Sequence, residues 1–388
     1  MGVKIYWYIV AIVIILGMIL PQEGKDRKYY IFLMTVLHTF VCGWRYIYLT
    51  GDLRKYAYYY GIYNDKSLGW FDEEIFHGGR NAGFQWICKA FSMMTDGDFH
   101  IFLICLAIFM QVSFAILIYY YSPRPWLSYL IWNCMSFYLV YGFTTIKQGL
   151  AMTVLLYAMM AIFQQKKRSF FILVLLAGFI HAPAFVFLPA YLIANKKITE
   201  NTVIVYIITM IMVYLFKKPI AEWGTDIYYE DAIVNTNKMI SLGGRFVVIC
   251  IIILCGLLIK GFRERQFETL FTLMVIAASL QIFSGYNNVF TRFSDYYFQF
   301  TVLFIPMIFY KPIHTVPMND EKNLPPFIFD QDSLNFFVML LTVILIWFYH
   351  VTCLGRTIEL KADDYLNYRF NWEVQDEKQA EQYEEVKY

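Results

Sequence analysis

Apolar runs close to the roughly 20 residues needed to cross a bilayer recur from one end of the chain to the other. They restrict its fold more than any other feature. They fall at 5–20, 29–44, 100–121, 126–143, 147–163, 169–193, 199–216, 246–261, 268–284, 293–310 and 334–353. With 59% of 388 residues hydrophobic and 16% charged, the chain is too apolar for a soluble domain of this size. The pattern predicts an all-α, polytopic helical bundle of about 11–12 membrane segments, some short or broken. One integral membrane domain is expected over 1–353, followed by an acidic, partly disordered tail at 354–388. The step Pro21-Gln22-Glu23 is no small-residue cleavage site, so 5–20 reads as a retained span.

Basic residues concentrate in the short loops 21–28, 164–168 and 260–267. Placing these on the cytoplasmic side puts the N-terminus, the loops 45–99 and 217–245, and the acidic tail outside. Segment 169–193 is long for one crossing and short for two. His181-Ala182-Pro183 interrupts it, and proline disfavours helix before it and lacks an N–H. Two short helices meeting at His181 satisfy the charge rule at every short loop. Non-helical backbone at that depth must line a cavity or be buried in protein, so the break predicts a cavity near His181.

Polar groups within such segments are expensive, and a functional role is the first hypothesis for them. Arg45 closes the second run, Lys147-Gln148 opens the fifth and Arg292 opens the tenth. All three cations fall at the outer side and would suit an anion: guanidinium fits phosphate oxygens bidentately and lysine acts as a compact charge. The plainer alternative is that each snorkels to the headgroups. His181 is either a bonded bundle histidine or a general base. Asp52, Glu73, Glu74, Asp226, Glu230 and Asp231 are alternative bases or a solvated loop face. His38 and His350 read as bundle positions. The tyrosine-rich loop 45–99 suggests short helices folded over the bundle. Its aromatic residues suit either an interfacial belt or sugar rings. The seven cysteines stand singly, with no metal spacing and no disulfide framework. There is no phosphate-cradling glycine loop and no nucleophile elbow, and the net charge of +2 points to no nucleic-acid partner.

Several short motifs, in this order, resemble the EpsG family of Wzy-like polymerases of polysaccharide repeat units. They are Gly43-Trp44-Arg45-Tyr46 with Gly51-Asp52 and Tyr56; Asn81-Ala82-Gly83-Phe84; Ile146-Lys147-Gln148 with Ala151; His181-Ala182-Pro183-Ala184 leading to Pro189; and Arg292-Phe293 with Tyr297. The chain departs from the family pattern at three places. Lys147 stands where arginine is usual, Asn81-Ala82 where an acid is frequent, and Ala182 where serine is usual. Lys147 keeps the charge but not the bidentate fork, and Asn81 cannot act as a base.

The resemblance implies a GT-C-like membrane glycosyltransferase in the bacterial cytoplasmic membrane, with its active site facing outward. Undecaprenyl-pyrophosphate-linked oligosaccharides would be its substrates. Membrane lipids, a flippase and a chain-length regulator would be its neighbours, and neither cofactor nor metal is required. Arg45, Lys147, Gln148 and Arg292 would hold pyrophosphate. His181 or Asp52 would serve as base or orienter, and Tyr46, Tyr56, Trp223 and Tyr297 would meet sugars. The rivals are an O-antigen ligase, a membrane acyltransferase, a flippase or transporter, and a structural subunit. A transporter predicts a repeat and cations deep in a central cavity; no repeat is visible, and the cations sit at one face.

Overall fold

The computed structural model describes residues 4–47, 49–76, 81–194, 197–221, 243–260, 264–285, 289–310, 331–351 and 369–373. Helices form nearly all of it. In chain order they are α1 (Lys4–Ile19), α2 (Arg27–Gly43), α3 (Gly51–Tyr63), α4 (Glu73–Phe76), α5 (Ala82–Met94), α6 (Phe99–Tyr121), α7 (Pro125–Cys134) and α8 (Phe137–Leu139). There follow α9 (Ile146–Phe163), α10 (Lys167–Ile180), α11 (Ala190–Ala194), α12 (Glu200–Leu215), α13 (Gly244–Cys255), α14 (Arg265–Gln281), α15 (Val289–Phe298), α16 (Thr301–Ile308) and α17 (Gln331–Tyr349). The all-α, polytopic membrane bundle is as the apolar runs predict. Among the described residues four helices are long and apolar enough to cross a bilayer alone: Phe99–Tyr121, Ile146–Phe163, Arg265–Ser284 and Asp332–Tyr349.

Two runs that read as single spans are interrupted. The run 126–143 breaks after α7 at Ser136, which takes φ 65°, and continues through α8 into a π-turn at Val140–Thr144. The run 293–310 divides into α15 and α16. Neither break has a proline or glycine at the junction to announce it.

The short basic loops gather at one end of the bundle. Arg27 Nη1 donates to the Ser122 carbonyl at 3.1 Å, the Trp126 N–H donates to Gln22 at 3.0 Å, and Arg124 reaches Asn335 at 3.0 Å. Gln164 donates to the Tyr121 hydroxyl at 3.1 Å. Tyr310 lies within electrostatic reach of Glu23, Arg27, Arg124 and Glu264, which brings the start of α14 to the same end. At the opposite end the C-terminal residues 369–373 close on α2. The Tyr46 N–H donates to the Arg369 carbonyl at 2.9 Å and the Asn371 N–H to the Trp44 carbonyl at 3.0 Å.

The segment 169–193 turns back as expected. α10 ends at Ile180, His181 is extended (φ −147°, ψ 104°), and a 3-10 turn spans Ala182–Phe187. The returning chain lies along α10: Tyr191 packs on Phe170 at 5.2 Å between ring centroids and donates its hydroxyl to the Gln165 carbonyl at 3.2 Å. Gly178 makes this hairpin possible, since a Cβ there would stand 2.3 Å from the Phe185 ring. The backbone at the break is satisfied locally, as a non-aqueous site demands. The His181 N–H bonds the Ala177 carbonyl at 2.8 Å, and the Ala184 N–H bonds the His181 carbonyl at 2.9 Å.

The loop 45–99 forms α3, α4 and α5 folded over the bundle. α5 carries the amphipathic pattern of a surface helix and buries Phe84 and Cys88. Its first turn comes so close to α10 that a Cβ on Gly83 would lie 2.5 Å from the Phe179 ring and 2.9 Å from its carbonyl oxygen. Nothing larger than glycine fits there.

Candidate active site

The elements that bring polar residues together are the starts of α3, α9 and α15 and the break at His181. Thr50 caps α3, its hydroxyl accepting from the Leu53 N–H at 3.3 Å. That fixes Asp52 in the first turn, exposed. A cavity of about 320 Å³ opens beside it, lined by Asp52, Lys55, Tyr56, Phe84 and Lys147 among others. Lys147, in the first turn of α9, is half-buried and lies within electrostatic reach of Arg292 and Asp52. Like charges within reach of one another repel, and the Asp52 carboxylate offsets part of that cost. Tyr56 packs edge-on against Phe84 at 5.3 Å. Burial holds its hydroxyl above the ordinary tyrosine range. The negative charge of Asp52 adds to this and Arg292 opposes it, so the phenol stays a hydrogen-bond donor.

His181 lies beneath, buried, within reach of both Lys147 and Arg292. Its Nδ1 is 2.6 Å from the Tyr296 hydroxyl. Asn81 completes the floor. It takes a left-handed conformation (φ 61°) that asparagine tolerates, and its Oδ1 accepts from the Ala182 N–H at 3.0 Å. An amide at 81 therefore orients the broken helix. Gln148 is buried and donates to the Arg292 carbonyl at 3.5 Å, so it ties α9 to α15.

The other sequence candidates have different surroundings. Arg45 is buried at the end of α2. Its Nη1 donates to the Cys42 carbonyl and lies 3.3 Å from Cys42 Sγ, and its guanidinium lies over the Phe143 ring at 5.2 Å. Tyr46 is buried beside it and bonded through its backbone to the C-terminal segment. Tyr297 is buried, packs on Phe187 at 5.0 Å and donates its hydroxyl to the Val186 carbonyl at 2.6 Å, so it braces α15 against the hairpin. Trp223 lies outside the described residues, as do Asp226, Glu230 and Asp231. His38 is a bonded bundle histidine, held by the Met34 carbonyl at 2.7 Å and Asn133 at 2.9 Å.

A second polar group was not anticipated. Asp295, buried on α15, receives Arg245 Nη1 at 2.5 Å and the hydroxyl of Tyr141. A carboxylate inside the run 293–310 was the available signal, by the same cost argument that singled out Lys147 and His181. Among the described residues no group of three or more His, Cys, Asp or Glu stands where it could hold a metal ion.

Fold and site together define a multi-pass helical membrane protein. The site's residues Asp52, Tyr56, Phe84, Lys147 and Arg292 are collected at the end of the bundle away from the basic loops. The model of the EpsG family matches residues 28–370, and the chain belongs to that family, one of Wzy-like polysaccharide polymerases. It is thus a membrane protein of polysaccharide biosynthesis. The match begins with α2 and ends at Phe370, which bridges to Arg45. No match was found among curated proteins or solved structures.

Proposed function

We propose that this protein polymerises polysaccharide by joining undecaprenyl-pyrophosphate-linked oligosaccharide repeat units at the outer face of the cytoplasmic membrane. The observation that carries the reading is Lys147, which lines one cavity with Asp52 and lies within electrostatic reach of Arg292. The positive-inside rule supports an outward-facing cavity, because the basic loops lie at the other end.

In this reaction an acceptor hydroxyl attacks the anomeric carbon of the donor sugar. The new glycosidic C–O bond forms as the bond from that carbon to the pyrophosphate oxygen breaks. The electron pair leaves with the lipid pyrophosphate, where negative charge grows. Lys147 and Arg292 stabilise that charge from fixed positions, which is where electrostatic catalysis has its largest effect. Asp52, exposed at the cavity, accepts the proton from the acceptor hydroxyl. Tyr56 donates a hydrogen bond, and its ring, backed by the buried ring of Phe84, offers an apolar face to a sugar. His181, held against Tyr296, orients the floor.

The test uses the purified chain in lipid vesicles with lipid-linked repeat units. Arg292→Ala lowers the rate of chain growth by about 10²–10³-fold, the usual loss when one fixed stabilising donor is removed. Long polymer made at the normal rate by a correctly folded variant sinks the assignment. A ligase, the alternative reading, passes finished glycan to a different acceptor and leaves single repeats unjoined in the same assay.

A further inference from the structure

Arg292 and Asp295 stand three residues apart on α15, the spacing at which opposite charges on a helix meet. Asp295 is buried and lies within electrostatic reach of Arg292. An arginine drawn to a carboxylate on its own helix is engaged and less available to an incoming anion.

The structure engages that carboxylate elsewhere. One oxygen of Asp295 is taken by Arg245 at 2.5 Å, and the other by the Tyr141 hydroxyl. Arg245 comes from the first turn of α13 and Tyr141 from the π-turn after α8. A buried carboxylate demands such partners, and one deprived of them attracts whatever cation is near. Arg292 remains exposed. Among the described residues it makes no ion pair within 4.0 Å.

Resting on the reading of Arg292 as a pyrophosphate ligand, we propose that Arg245 is a positioning residue. By occupying Asp295 it keeps Arg292 turned towards the lipid-linked substrate. Arg245 acts through Arg292 and makes no substrate contact of its own. Removing it exposes Arg292 to capture by Asp295, which weakens substrate binding without removing the ligand.

The test is a cycle of variants of the full chain in vesicles: Arg245→Ala, Arg292→Ala, the double variant, and Arg245→Ala with Asp295→Asn. KM and kcat for lipid-linked repeats are measured, with melting temperature as a check on folding. Arg245→Ala raises KM about tenfold or more at a kcat changed much less. In the Arg292→Ala background it adds nothing further, because residues acting through one group are not additive. Adding Asp295→Asn removes the competing carboxylate and returns KM towards the original value.

Additive effects of the two arginine changes overturn the proposal, since they mean Arg245 acts independently. Failure of Asp295→Asn to restore KM overturns it too, and marks Arg245 as a ligand in its own right. A loss confined to kcat and melting temperature reduces Arg245 to scaffold. If Arg292→Ala itself is silent, the functional reading falls. If Arg292→Ala is damaging and Arg245→Ala is silent, only the positioning role falls.

Discussion

Arg45 and Arg292 lie at the same end of the bundle, and the sequence offers them as equivalent, yet their surroundings differ. Arg292 is exposed on α15, with Lys147, Asp52 and His181 within electrostatic reach of one another or of it. Arg45 is 1% exposed, packed over Phe143 and bridged through its backbone to Phe370. Its Nε and Nη2 are buried with no hydrogen-bond partner among the described residues. The two differ in what their charge can reach. A guanidinium open to a cavity can neutralise charge that appears during a reaction. One sealed under an aromatic ring and a C-terminal strap acts on its immediate neighbours. Membrane depth alone, all that a sequence supplies, does not separate the two.

The largest test of this contrast is at Asp52. If chemistry belongs to the Arg292 side, Asp52→Asn removes the proton acceptor while keeping size and hydrogen bonding. The turnover rate should fall by about 10²–10⁴-fold, the usual share of a general base, with KM little changed. His181→Gln should fall by less, because that ring is buried and already engaged with Tyr296. If the order of these two effects reverses, the proton goes to the histidine, and the contrast must be redrawn around the helix break.

A smaller effect is expected from packing on the same side. Gly83→Val places a branched side chain where Phe179 leaves no room. It should cost about 1–3 kcal/mol of stability as overpacking, read as a lower melting temperature in detergent. The shift should also displace Asn81 from the Ala182 N–H and so lower polymerisation by the folded fraction. A variant with unchanged stability would mean that α5 does not press on α10 as tightly as the structure has it.

Much of this architecture was legible in the sequence. Apolar length located the membrane segments, and Pro183 with its neighbours located the break in 169–193, because proline changes the backbone directly. The cost of polar groups in hydrocarbon singled out Lys147, His181 and Arg292 as candidates, though it grouped Arg45 with the other two cations. The breaks in 126–143 and 293–310 were not legible, since residues of ordinary propensity there yield to tertiary packing. The Asp295 network was missed for a related reason. Asp295 sits inside a span and draws its partners, Arg245 and Tyr141, from far away in the chain. The burial of Arg45 depends on how the π-turn at Val140–Thr144 brings Phe143 against the guanidinium, which no local pattern encodes.

The smallest expected effect is at Arg45 itself. Arg45→Met keeps a long unbranched side chain that can lie against Phe143 and removes a charge with two nitrogens that find no partner among the described residues. Replacing buried charge with well-packed apolar atoms is often neutral or stabilising, so melting temperature should hold or rise. Polymerisation by the folded protein should change by less than about tenfold, which is roughly 1.4 kcal/mol in the barrier. A hundredfold loss at unchanged stability would place Arg45 in contact with charge that develops during the reaction. The strap at 369–373 would then have to open for an anion to reach it. Deleting residues 369–388 in the Arg45→Met and original backgrounds separates the cases. A strap that only packs lowers stability equally in both, whereas one that shields Arg45 from an anion alters KM in the original background alone.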